Sequence, residues 1–193
     1  KRDKINSFLE KNYQGDLQIL HYLEILKQEI GFSQLKEKVK TPLAELKAAA
    51  YYGCMLLRPF EEMEFDDKER PTIFEELLEA LGAKATDFPY KIECCGSFQS
   101  VGSPEVATEC AHKILGSAIK NGAEAVVSTC PMCTFNIDHK QSDIKHKYLD
   151  FKPVPVLYFT QLLGIALGLD YQTLGFDQNA VDPLPLLKEK GLL

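Results

Sequence analysis

Short apolar runs alternate with amphipathic stretches along most of this chain, and that alternation limits the fold more than any other feature. The run "LKAAAYYGC" (46–54) has no helical period and reads as a buried strand. "RPTIFEELLEALGA" (70–83) is amphipathic, with Pro71 at its start and Gly82 as its stop, and reads as a helix. "DFPYKIECC" (87–95) reads as a second strand, "SPEVATECAHKILGSAIKNGA" (103–123) as a helix with Ser103 as N-cap, and "AEAVVSTC" (123–130) as a third strand. Pro131 opens another helix, "PVPVLYF" (153–159) is a fourth strand, and "TQLLGIALGL" (160–169) follows as a helix. Strands alternating with helices at this spacing imply an α/β fold. Its expected form is a Rossmann-like parallel sheet of about four strands, with helices on both faces and right-handed crossovers.

Upstream, residues 16–30 carry leucines and isoleucines at roughly helical spacing, with His21 inside the expected helix and Gly31 closing it. A short helix is expected at 33–39. Residues 1–15 read as a linker or N-terminal helix, residues 16–193 as one domain, and the tail from Gly175 as irregular.

Bulk properties exclude several roles. The net charge is -6 and no basic cluster stands out, which argues against nucleic acid and anionic membrane surfaces as partners. The most apolar segment, 154–169, is too short to span a bilayer and carries Gln161. Residues 1–13 lack the apolar core of a signal peptide. The thiols are therefore expected in a reducing compartment, which favours metal or redox work over disulfides.

Five of the six cysteines form the pattern C-x39-C-C-x34-C-P-M-C: Cys54, Cys94, Cys95, Cys130 and Cys133. In the expected topology three strands end at cysteine, and ligands of such sheets collect at the carboxyl ends of the strands. Five sulfurs exceed the four of a structural zinc site. Thiolates are soft ligands, so an iron–sulfur cluster suits them better, and a turn at Gly96 lets Cys94 and Cys95 face different irons. Two other readings stand beside this one: a zinc-binding docking module using four of the five, and a dithiol-exchange site at Cys130-Pro-Met-Cys133. Cys110 reads as a buried helical thiol without chemistry. His21 reads as surface or satisfied core, and His139 and His146 as solvated.

"YYGCMLLRP", "CCG", "VVSTCPMC" and "PVLYFTQLLGIALGL" together resemble the cysteine-rich CCG domain of the heterodisulfide reductase B subunits, over roughly residues 16–183. The resemblance implies a non-cubane [4Fe-4S] cluster held by Cys54, Cys94, Cys95, Cys130 and Cys133. It implies flavin and iron–sulfur partner subunits, a second CCG domain preceding this one, and reduction of the coenzyme M–coenzyme B disulfide that ends methanogenesis. Similar domains serve glycolate, lactate, fumarate and succinate oxidoreductases, some of them linked to quinones. Only one CCG pattern is present, so the chain resembles a C-terminal half, expected to be inactive by itself. The implied location is the cytoplasm, with the membrane reached only through partners.

Overall fold

The computed structural model describes residues 1–193, with Glu62 entering only as part of its helix. Four strands, β1 (Lys47–Tyr51), β2 (Lys84–Thr86), β3 (Ala125–Ser128) and β4 (Val156–Tyr158), form one sheet in the order β2-β1-β3-β4. All three pairings are parallel, with Ala49 of β1 opposite both Thr86 and Val126. The expected α/β class, strand number and parallel sense are all present.

Side chains alternate across the sheet and feed two cores. Ala48, Ala50, Val127 and Leu157 point to one face, where they meet Phe74 and Leu77 of helix α5 (Ile73–Ala80) and Leu162 of helix α8 (Phe159–Ala166). Ala49, Val126 and Val156 point to the other face. There they meet Ala111, Ile114 and Ala118 of α6 (Pro104–Lys120), and Ile137 and Ile144 of α7 (Pro131–Lys147). Every residue of β3 is buried, which is why its run lacks alternation.

The remaining helices are α1 (Arg2–Leu9), α2 (Tyr22–Ile25), α3 (Phe32–Lys38), α4 (Phe60–Met63) and α9 (Leu184–Glu189). The helix expected at 16–30 starts only at Tyr22. His21 caps it rather than lying inside: its Nδ1 accepts from the Leu23 N–H at 3.2 Å, and the Glu24 carboxylate accepts from the His21 N–H at 2.7 Å. Beyond Ile25 the helix widens, with the Gly31 N–H donating back to the Leu26 carbonyl. The tail from Gly175 is less irregular than expected, because α9 seals the core with buried Leu187.

The larger correction concerns 87–95. The second strand is Lys84–Thr86, and 87–95 is a loop. Pro89 has no N–H for a ladder. Beyond β1, the Tyr52 and Gly53 N–H groups both donate to one carbonyl, that of Lys91. Two strands therefore run toward cysteines, not three, and the Cys94–Cys95 pair arrives on a folded-back loop. Nor does the Ser103 side chain cap α6; its backbone carbonyl takes the Val106 N–H.

Candidate metal centre

In the order β2-β1-β3-β4 the chain leaves β1 to one side and returns past it to β3, so the switch point lies between the carboxyl ends of β1 and β3. Open α/β sheets bind ligands at that crevice. Cys54 follows β1 by three residues and Cys130 follows β3 by two.

Cys54 is half-buried. The turn before it needs Gly53, which has φ +69° and whose missing Cβ would stand 3.0 Å from the Cys133 sulfur. Cys130 begins α7, with its N–H donating to the Ser128 hydroxyl at 3.2 Å and its carbonyl accepting from the Thr134 hydroxyl at 3.0 Å. Cys133 lies one helical turn further, buried.

The folded-back loop is pinned at both ends of its thiol pair. The buried Tyr51 hydroxyl donates to the Glu93 carbonyl at 2.6 Å. Asn136 of α7 donates its side-chain amide to the Cys95 carbonyl at 2.8 Å, while accepting from the Ser100 hydroxyl at 2.7 Å. Gly96 then turns the chain with φ +75° so close to α6 that a Cβ would lie 3.2 Å from both the Ala107 Cα and the Cys110 sulfur. Further back, the Lys91 ammonium contacts Glu75 at 2.7 Å and the Pro71 carbonyl at 3.1 Å, tying the loop to α5.

Two of the five thiols touch: Cys95 and Cys133 have their sulfurs 3.5 Å apart. Cys130 lies near enough to Cys133, and Cys94 to Cys54, to raise its thiol. All are free of disulfides. Among the described residues no trio of His, Cys, Asp or Glu is grouped around a single-ion position. The Cys130 thiol is drawn down to about 6 by the neighbouring Cys133 thiol and, further, by the N–H groups of Cys133 and Met132 at the start of α7. Cys95 is likewise drawn to about 6, first by Cys133 and then by Ser97 against its burial, while Cys133, between the two, is pushed up. Burial and the neighbouring Cys94 raise Cys54. The donor set is soft and its Cys95–Cys133 pair is in contact, which suits iron–sulfur chemistry.

Cys110 is half-buried rather than buried and stands against the Gly96 turn, its thiol raised by burial. His139 is exposed, as is His146, and the His139 ring stacks on Phe135 at 4.1 Å. Burial lowers the His21 pKa, against the nearby Thr129 backbone, which raises it. Tyr51, Ser128 and Asn136 support the rim without belonging to the cysteine pattern. Asn136 carries a signal in the sequence, since three residues after Cys133 places it on the same helix face; the tyrosine and serine carry none.

The comparisons with known proteins agree with the geometry. Residues 48–138 match the CCG cysteine-rich domain model. Over 177 residues the chain is 38% identical to the B subunit of the ferredoxin:CoB-CoM heterodisulfide reductase of Methanosarcina mazei, covering 91% of this chain and 59% of that protein. Over 188 residues it is 37% identical to the 8-methylmenaquinol:fumarate reductase membrane anchor subunit of Wolinella succinogenes, covering 96% of this chain and 66% of that one. A protein of Archaeoglobus profundus, described as like the heterodisulfide reductase B subunit, is 30% identical over 179 residues, 88% of this chain and 58% of that protein. The chain thus spans about three-fifths to two-thirds of these relatives' length. Among the described residues no helix is long and apolar enough to cross a membrane. By the matched domain and these relatives, the chain belongs to the CCG cysteine-rich family of heterodisulfide reductase B subunits.

Proposed function

We propose that the chain is an electron-transfer unit of a larger oxidoreductase, with Cys54, Cys94, Cys95, Cys130 and Cys133 holding a non-cubane [4Fe-4S] cluster. Its partners are flavin and iron–sulfur subunits and a second CCG domain. Its substrate is a small disulfide of the coenzyme M–coenzyme B type, reduced at the end of methanogenesis. The observation that supports this reading is the contact of the free Cys95 and Cys133 thiols, 3.5 Å apart, with Cys54 and Cys130 just past the carboxyl ends of β1 and β3. When bound, such a cluster supplies electrons and iron positions that stabilise thiolate charge as a disulfide opens.

The protein's own groups hold and bias that rim. Ser97, Met132 and Cys133 present N–H groups to the Cys95 and Cys130 sulfurs and favour their thiolate forms. Asn136 and Tyr51 hold the loop that carries Cys94 and Cys95. Buried Tyr51 and the strand ends keep water from the inner side of the rim.

A second reading, a role in a menaquinol-linked complex, is favoured by the similarity to the Wolinella succinogenes membrane anchor subunit. Both readings need the cluster. Protein purified without oxygen is expected to be brown and to carry iron and sulfide in equal amounts. Cys94→Ser is expected to bleach it while the far-ultraviolet circular dichroism stays unchanged. Colourless protein with one zinc per chain, or unchanged iron in Cys94→Ser, would overturn the assignment.

A further inference from the structure

Cys95 and Cys133 are the two thiols of the pattern that the fold buries, 2% and 4% exposed, whereas Cys54, Cys94 and Cys130 are half-buried. Their sulfurs stand 3.5 Å apart although 38 positions separate them along the chain. The surrounding structure holds that contact. Asn136, three residues beyond Cys133 on α7, donates to the Cys95 carbonyl at 2.8 Å and fixes the loop to the helix that carries Cys133. Behind Cys95 the chain turns at Gly96, so close to α6 that a Cβ there would lie 3.2 Å from the Ala107 Cα. The loop therefore has no room to retreat in that direction.

A disulfide needs its sulfurs about 2.05 Å apart, so this pair must close by about 1.5 Å. Modest rotations about the two χ1 bonds move the sulfurs on that scale. With a hydroperoxide as oxidant, atoms and electrons balance. One sulfur attacks the terminal peroxide oxygen, the O–O bond breaks, and a sulfenic acid forms while the alkoxide (hydroxide, from hydrogen peroxide) takes that thiol's proton. The second sulfur attacks the sulfenic sulfur, the S–S bond forms, and the departing hydroxide leaves as water with the second thiol's proton. Two thiols are oxidised and one peroxide is reduced. Because the sulfurs already touch, a sulfenic acid at either one meets its neighbour directly, which favours the reversible bridge over irreversible sulfinic acid.

We propose that Cys95 and Cys133 form a reversible redox modification site, which a hydroperoxide closes in preference to the Cys130–Cys133 pair suggested by the C-P-M-C spacing. The bridge ties the 87–95 loop to α7 covalently, joining segments that are otherwise linked there by the Asn136 amide. Its consequence is that two metal ligands are stored in recoverable form when an oxidant strips the metal centre. That consequence rests on the functional reading above; the bridge itself rests on the thiol contact.

The full chain, purified without oxygen, is treated with hydrogen peroxide in steps, blocked with N-ethylmaleimide and digested without reductant. Mass spectrometry is expected to find the Cys95 and Cys133 peptides joined, two hydrogens lighter than the free pair, as the most abundant bridge. Dithiothreitol is expected to return both thiols. A dominant Cys130–Cys133 or Cys54–Cys94 bridge, the statistical mixture of pairs of an unfolded chain, or sulfinic acid at Cys95 or Cys133 without a bridge overturns the proposal. Iron and sulfide assayed before the peroxide is added keep the two ideas apart. A colourless chain that forms the bridge defeats the cluster reading and leaves the modification site standing. A brown chain that bleaches without the bridge does the reverse.

Discussion

Asn136 reaches from the second turn of α7 to the Cys95 carbonyl, 2.8 Å away, and so joins the helix that carries Cys133 to the loop that carries Cys95. This one amide couples two segments about 40 residues apart that have no strand pairing between them.

Removing that amide leaves a buried carbonyl unpaired, at a cost of about 1–3 kcal/mol. Asn136→Ala is expected to lower the unfolding free energy by that amount and to reduce iron per chain after reconstitution. Urea unfolding curves and an iron assay on the same preparation check both effects.

Gly53 has a conformational and a steric reason to be glycine. Gly53→Ala is expected to cost about 1–3 kcal/mol for its left-handed backbone and also to displace the Cys133 sulfur. Gly122→Ala is the control, since its φ is +91° but no atom lies within 4 Å of an added Cβ. Both variants should lose stability, and only Gly53→Ala should lose cluster.

Cys110 stands against the Gly96 turn and takes no part in the Cys95–Cys133 contact. Cys110→Ala is expected to keep full iron and sulfide content, whereas Cys95→Ala loses both. Loss of iron in Cys110→Ala would add it to the ligand set.

Tyr51→Phe removes the hydroxyl that holds the Glu93 carbonyl and nothing else. A loss of about 0.5–1.5 kcal/mol is expected, together with faster amide exchange at residues 93–96. Exchange followed by mass spectrometry locates the effect.

Lys91 supplies a pH dependence. Burial alone would lower its pKa, but its bonds to Glu75 and Asp87 outweigh that and raise it. Its stabilisation is therefore fully present below the ordinary lysine value, about 10.4, and is lost as pH rises through the higher folded value. Urea unfolding at about pH 9 and about pH 11.5, on either side of the ordinary lysine value, should show a fall in stability that is smaller in Lys91→Met.

Much of the fold was legible locally. The buried run at β3, the Pro131 start of α7 and the Gly122 stop of α6 each carry their signal within a few residues. Legibility failed where a distant partner decided the conformation. "KIECC" has strand-like composition, yet the Lys91 carbonyl serves the Tyr52 and Gly53 N–H groups, the Lys91 ammonium meets Glu75, and the segment folds back as a loop. The start of α2 moved for a more local reason, the reciprocal bonds of His21 and Glu24, a pair that a capping search restricted to Ser, Thr, Asp and Asn overlooks.

The sequence by itself determined the class of sheet and the supply of thiols, because burial on both faces and helix punctuation are written in short-range patterns. Only the tertiary structure decided which thiols are neighbours and which side chains hold the loop that carries them. Those relationships arise when crossovers bring residues dozens of positions apart into contact, and periodicity carries no record of such distances.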